Sequence, residues 1–201
     1  RIEESKAAAR IRGIHARENL GMMDGDITNT PETRLPIIRA LRTYRPHIVL
    51  LNAPECRHPD HGAAARLVGD ALFYSGLRMI ETTDADGNAQ EPHRPSHALH
   101  YMQSIPFTPT VVVDVSDVWE QRMAAFHAFG SQFHTPGMDD KEDDQPQTFI
   151  SNPAFHAFVE SQARAFGYRV GATYGEPLLY RHGPIGVDDL GTFLSKVKPF
   201  R

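Results

Sequence analysis

The chain has 201 residues, of which 40% are hydrophobic and 23% charged, the balance of a single globular domain with a sizeable core. A formal charge of -4, with no Lys/Arg stripe interleaved with aromatics, excludes the electrostatic footprint of a nucleic-acid binder, and no apolar run reaches transmembrane length, so no membrane partner is expected. One cysteine, Cys56, excludes an intramolecular disulfide framework and agrees with a cytoplasmic location.

In chain order, Ile2 to Arg12 is an alanine-rich helical pattern ended by Gly13, with neither a cap nor a strand ahead of it. Asn19 to Met23 leads into Asp24-Gly25-Asp26, a turn or the rim of a site. Thr30 caps and Pro31 opens a helix running to about Tyr44, with Leu35, Ile38 and Leu41 inward. Ile48 to Leu51 reads as a central strand. The next helix is expected from His61 to about Tyr74, and the polar stretch from Glu81 to Pro95, with Asp86-Gly87-Asn88, as an excursion from the core.

Two more strands are expected at Ala98 to Met102 and Val111 to Val115, the second so apolar that it belongs well inside a sheet. Ser116 or Asp117 caps a helix whose Trp119, Met123 and Phe126 form a core stripe rather than a cofactor box. Thr135 to Gln147 is acidic but lacks the alternating ligands of a calcium loop, and reads as a solvated rim. A last helix spans about Pro153 to Phe166, then a turn at Gly171 to Pro177 and a tail from Pro184 that docks on a neighbour. These elements define an α/β, Rossmann-like fold, a mostly parallel sheet flanked by helices.

The chemistry gathers in Arg57-His58-Pro59-Asp60-His61, at the carboxyl end of the Ile48 to Leu51 strand, where open α/β sheets place ligand crevices. Pro59 fixes its own φ and restricts His58, so the directions of His58, Asp60 and His61 are partly set by the backbone. One imidazole can then hold a metal while the other faces a substrate. The bland alternative is a surface loop capping a helix, and zinc needs at least three protein ligands where this stretch supplies one or two. Cys56 invites a nucleophile reading, but a small half-buried thiol at a strand end is the simpler one.

The sequence resembles the LmbE-like (PIG-L) zinc-dependent N-acetylglucosaminyl deacetylases, and within them the bacillithiol-biosynthesis branch. The likeness is carried by Arg1 to Gly13, Asn19 to Gly25, Arg57 to Gly62, Arg94 followed by His100 to Gln103, Val113 to Ser116, Ser131 to Phe133 and Tyr174 to Glu176. The resemblance implies that His61 ligates Zn2+, that His58 stabilises an oxyanion or protonates the leaving amine, and that Asp60 orients His58. Arg1 and Arg94 match family arginines near the substrate. The family's other two zinc ligands and its general base lie in an Ala-His-Pro-Asp-Asp motif that this sequence does not contain. The expectation is therefore a single deacetylase domain over residues 1–201, lacking its first strand and active-site loop at the amino-terminal side. The implied substrate is a small amino-sugar conjugate, N-acetylglucosaminyl-L-malate first, and the implied assembly is a homo-oligomer. A deacetylase for another N-acetyl sugar or thiol conjugate, or a binding module of the same fold without zinc, are the alternatives.

Overall fold

A computed structural model describes residues 1–133 and 148–197. The acidic stretch read as a rim at Thr135 to Gln147 lies outside the described residues. The elements are α1 (Ile2–Ile11), α2 (Pro31–Tyr44), β1 (Ile48–Leu51), α3 (Pro59–Tyr74), β2 (His97–Tyr101), β3 (Val111–Asp114), α4 (Trp119–His127), α5 (Pro153–Arg169), β4 (Gly175–Tyr180) and α6 (Leu190–Lys196).

Local chemistry accounts for the helix boundaries. Thr30 sits in extended backbone and accepts the Thr33 N–H at 3.4 Å while the Thr33 hydroxyl accepts the Thr30 N–H at 2.9 Å, a reciprocal cap that starts α2 at Pro31. The same helix stops at Arg45, which adopts a left-handed φ of 46° just before Pro46. In α3 the cap is His58 and the first residue is Pro59, so the helix begins earlier than expected and His61 falls within its first turn.

The sheet is mixed, which corrects the mostly parallel, Rossmann-like expectation. Its strand order is β1-β2-β4-β3. β1 and β2 are parallel, from Ile48 opposite His97 to Leu51 opposite His100. β4 runs antiparallel to β2, with Leu99 opposite Tyr180 and Tyr101 opposite Leu178. The pairing of β3 with β4 is also antiparallel: the Thr110 N–H donates to the Leu178 carbonyl at 2.9 Å and the Val115 N–H to that of Tyr174 at 3.1 Å. One helix, α3, separates β1 from β2 and returns the chain to the same end, which gives a parallel pair. Two helices, α4 and α5, separate β3 from β4, so the second strand enters from the opposite end.

The strand order also moves the two strands expected in the interior. β1 and β3 stand at the ends, and Val113 of β3 is 42% exposed. In β1 only Leu51 is fully buried, against α2, α3 and β2, so an apolar run does not by itself mean a strand with neighbours on both sides.

The chain divides into two compact units, one of residues 1–18, 112–176 and 191–201, the other of residues 19–111 and 177–190. In the first, Trp119, Met123 and Ala163 form the core, with the Trp119 ring stacked on Tyr174 at 4.0 Å between centroids. This is the stripe expected of α4. In the second, Ile38 and Leu41 of α2 meet Leu51 of β1, Ala71 and Leu72 of α3 and Ala98 of β2. That core fixes the amino end of α3 beside the end of β1, and the candidate site is built there.

Candidate metal and hydrolytic site

Asp60 is the fixed point. Only 7% exposed, its carboxylate accepts the backbone N–H of Gly25 at 2.6 Å and that of Ile27 at 3.5 Å. Gly25 has a φ of 86°, a left-handed conformation that a side chain resists, and this turn aims its amide at the carboxylate. The Asp24-Gly25 turn is thereby drawn to the first turn of α3. Asp24, His58 and Asp60 then bring one oxygen or nitrogen each within 4.8 Å of one another.

His58 is oriented by the helix it caps. Its Nδ1 accepts the Asp60 N–H at 3.3 Å. A backbone amide can only donate, so in the neutral ring the proton rests on Nε2, which becomes a donor. The His58 and His61 rings lie 5.3 Å apart, tilted by 33°.

His61 belongs to a second network. Its Nδ1 lies 2.8 Å from Gln103 Nε2 and 3.0 Å from Cys56 Sγ. The Gln103 Oε1 accepts the Ala53 N–H at 3.1 Å, and the Ser104 hydroxyl is 3.0 Å from the Cys56 sulfur and accepts the Arg57 N–H at 3.2 Å. Burial pushes the Cys56 thiol up, but hydrogen bonds from Ser104 and His61 and from the backbone amides outweigh it and bring the pKa down to about 6. The loop between β1 and α3 is thus tied to the residues just after β2.

Of the residues singled out from the sequence, His58, Asp60, Asp24 and Gly25 converge, with His61 adjacent through its ring contact with His58. Arg94 is exposed and lines a different cleft of the same unit, whose walls include none of His58, Asp60 or His61. Arg1 belongs to the other unit, where its amino group lies 3.5 Å from Glu4. Gln103 and Ser104 were not foreseen as partners of His61 and Cys56; the polar residues closely following the His100-Tyr101 strand end were the available signal.

The Asp24 and Asp60 carboxylates fit a divalent metal in donor type and leave positions open for water, while His58 beside them, with Nδ1 accepting the Asp60 N–H and the proton on Nε2, has no lone pair left for a metal in this tautomer. The two amides on Asp60 occupy part of its accepting capacity but leave further lone pairs.

The family model described as GlcNAc-PI de-N-acetylase (PIG-L) matches residues 1–72. A conserved protein of Thermus thermophilus has the same fold with a TM-score of 0.76 and 31% identity, over 93% of this chain and 75% of that one. The diacetylchitobiose deacetylase of Thermococcus kodakarensis is 32% identical over 140 residues, covering 66% of this chain, which spans 49% of that relative. At lower identity, 17%, the 4-carboxy-2-hydroxymuconate hydratase of Pseudomonas putida matches with a TM-score of 0.64 over 94% of this chain and 73% of its own. The chain belongs to the PIG-L/LmbE-like deacetylase superfamily.

Proposed function

We propose that this protein works as a metal-dependent hydrolase that removes the acetyl group from an N-acetylated amino-sugar conjugate. The observation that carries the reading is the convergence of Asp24, His58 and Asp60 at the first turn of α3, in a chain of this superfamily. A divalent metal bound at this end of the site, Zn2+ first, supplies Lewis-acid polarisation of an amide carbonyl and a water of lowered pKa.

The chain's own residues would act around that chemistry. His58, with its proton on Nε2, would donate to the developing oxyanion or the departing amine; the Asp60 N–H on its Nδ1 supports that role. The Asp60 carboxylate holds the Asp24-Gly25 turn against the helix, and its backbone N–H orients the His58 ring. His61 is the further candidate ligand, its Nδ1 engaged by Gln103 and Cys56.

For the substrate, N-acetylglucosaminyl-L-malate is the first candidate, with Arg94 as the donor to its carboxylates. The Thermococcus relative, named for diacetylchitobiose, favours a neutral sugar as the second candidate. The hydratase that shares the fold makes the reaction itself part of the test.

Two measurements decide. In metal analysis of the purified protein, His61→Ala is expected to lose most bound zinc, whereas His58→Ala keeps it and loses roughly 100- to 1000-fold in acetate release. Near-wild-type turnover in His58→Ala would remove it from the chemistry. With both substrates, Arg94→Ala should depress kcat/KM for the malate conjugate more than for the neutral sugar; equal proportional losses would exclude Arg94 from carboxylate recognition.

A further inference from the structure

One nitrogen of His61 faces two residues that make opposite demands on it. Its Nδ1 lies 2.8 Å from Gln103 Nε2 and 3.0 Å from Cys56 Sγ. We propose that Cys56 and Gln103 are positioning residues that select the tautomer of His61. The Cys56 sulfur, by accepting Nδ1–H, frees the Nε2 lone pair for a divalent cation, and the Gln103 amide, by donating to Nδ1, withholds it. This assignment rests on the metal-dependent reading and deepens it, because it says what decides whether His61 can ligate.

Gln103 can act in one direction only. The oxygen and nitrogen of a carboxamide are told apart by their partners, and here the partners decide. Its Oε1 accepts the Ala53 N–H at 3.1 Å and Nδ2–H of Asn52 at 3.4 Å. Turning the carboxamide over would set its NH2 against the backbone donor of Ala53, a fully buried residue, and leave that donor unmet. Asn52 is itself tethered, its carbonyl 2.6 Å from Nδ1 of the buried His100. Gln103 Nε2 therefore points at His61, and an amide nitrogen has hydrogens to give but no lone pair to offer. Held this way, the neutral ring carries its proton on Nε2 and has no place for a metal there.

Cys56 supplies the opposite partner. Sulfur accepts through its lone pairs whether or not it carries a proton. Ser104 holds it in place, with a hydroxyl 3.0 Å from the sulfur that also accepts the Arg57 N–H at 3.2 Å. With Nδ1–H donated to Cys56, Nε2 keeps its lone pair, the form in which a histidine ligates through that atom. Nδ1 cannot carry a hydrogen and accept one from Gln103 at the same time. The two arrangements exclude each other, and binding at Nε2 shifts the balance toward Cys56. Both partners sit on the framework of the site: Cys56 lies in the loop between β1 and α3, and Gln103 closely follows the end of β2.

Histidine tautomers are read from ring nitrogen chemical shifts, which need neither metal nor turnover. In metal-free protein labelled at histidine, the His61 signals are assigned by their loss in His61→Ala. Cys56→Ala should then carry the His61 proton on Nε2, and Gln103→Glu should carry it on Nδ1. If Gln103→Glu does not fold, Gln103→Met, which removes the donor without adding charge, should likewise give Nδ1–H. One and the same tautomer in the Cys56 and Gln103 variants would overturn the proposal. Competition for Zn2+ with a chromophoric chelator tests the consequence: affinity should fall roughly tenfold or more in Cys56→Ala and rise by a similar factor in Gln103→Glu, the scale of partners that orient a metal-bound histidine. Unchanged zinc affinity in both variants, beside a wild type that binds zinc, would sink this assignment and spare the metal-dependent reading. A wild type that binds no zinc would remove the two together. With Co2+ in place of zinc, a thiolate-to-cobalt charge-transfer band would make Cys56 a ligand rather than the partner of one, and would equally overturn the proposal.

Discussion

Asp60 and Cys56 are polar atoms placed where their neighbours leave little alternative. The Asp60 carboxylate satisfies the amides of Gly25 and Ile27, so truncation strands donors in a largely buried position as well as removing a charge. Asp60→Ala is expected to lower the unfolding free energy by about 1–3 kcal/mol, the cost of unmet buried donors. Urea denaturation measures it, and an unchanged midpoint would mean that the turn is held by other contacts. Cys56, the only cysteine, has a pKa of about 6 against 9.0 for the ordinary thiol. Chelator-treated protein should react with iodoacetamide at a rate that is half-maximal near pH 6, because the thiolate is the nucleophile; a half-maximum near the ordinary thiol value would remove the hydrogen bonds from the account. The sign for stability follows: the folded value lies below the unfolded one, so the contact favours folding in full above the ordinary thiol range and is lost as pH falls through about 6.

Elements differ in how far their sequence dictates them, and Arg42 shows where local pattern stops. α2 was legible from Thr30, Pro31 and the spacing of Ile38 and Leu41, because capping and periodicity are properties of neighbouring residues. Nothing local announces that Arg42 in its last turn is 4% exposed. It donates to the carbonyls of Ser75 at 3.0 Å, Leu77 at 2.8 Å and Ile80 at 2.6 Å and to the Thr82 hydroxyl at 2.9 Å, tying the end of α3 to the segment beyond it. Arg42→Ala should therefore destabilise strongly, by about 3–5 kcal/mol, because it strands several buried acceptors at about 1–3 kcal/mol apiece. Arg42→Lys, which cannot span four acceptors in a plane, should recover little of that. Thermal melting of both variants tests this, and a lysine variant close to wild type would show that charge rather than the planar fork matters. β4 was missed for a related reason. Gly175, Glu176 and Pro177 interrupt the apolar pattern, and the segment becomes a strand through its pairing with β2 and β3. At the site, the His58 to His61 run was legible because Pro59 stiffens it, whereas the approach of Asp24 and the Gln103 and Cys56 contacts to His61 depend on tertiary placement.

For the molecule as a whole, the strand order leaves a consequence at β1. That strand hydrogen-bonds β2 on one side and stands at the end of the order, with Ile48 58% and Leu50 56% exposed. Leu20, 40% exposed, and Tyr44, 50% exposed, lie with them around an apolar trough of about 340 Å³. Among the described residues no strand pairs with the outer edge of β1; an apolar edge of this kind templates pairing with further strands, and natural sheets blunt such edges with charge, lysine above all. The expected homo-oligomer makes the point measurable, since association through this edge would consume the same surface. Dynamic light scattering across a concentration series should show the chain of residues 1–201 gaining apparent size as concentration rises. Ile48→Lys combined with Leu50→Lys should remove most of that growth. The two side chains point away from the Leu51 core, so the far-ultraviolet circular dichroism of the double variant should match the parent. Concentration-dependent growth that persists unchanged in the double variant would place self-association on another surface and leave β1 as a bare but inert edge.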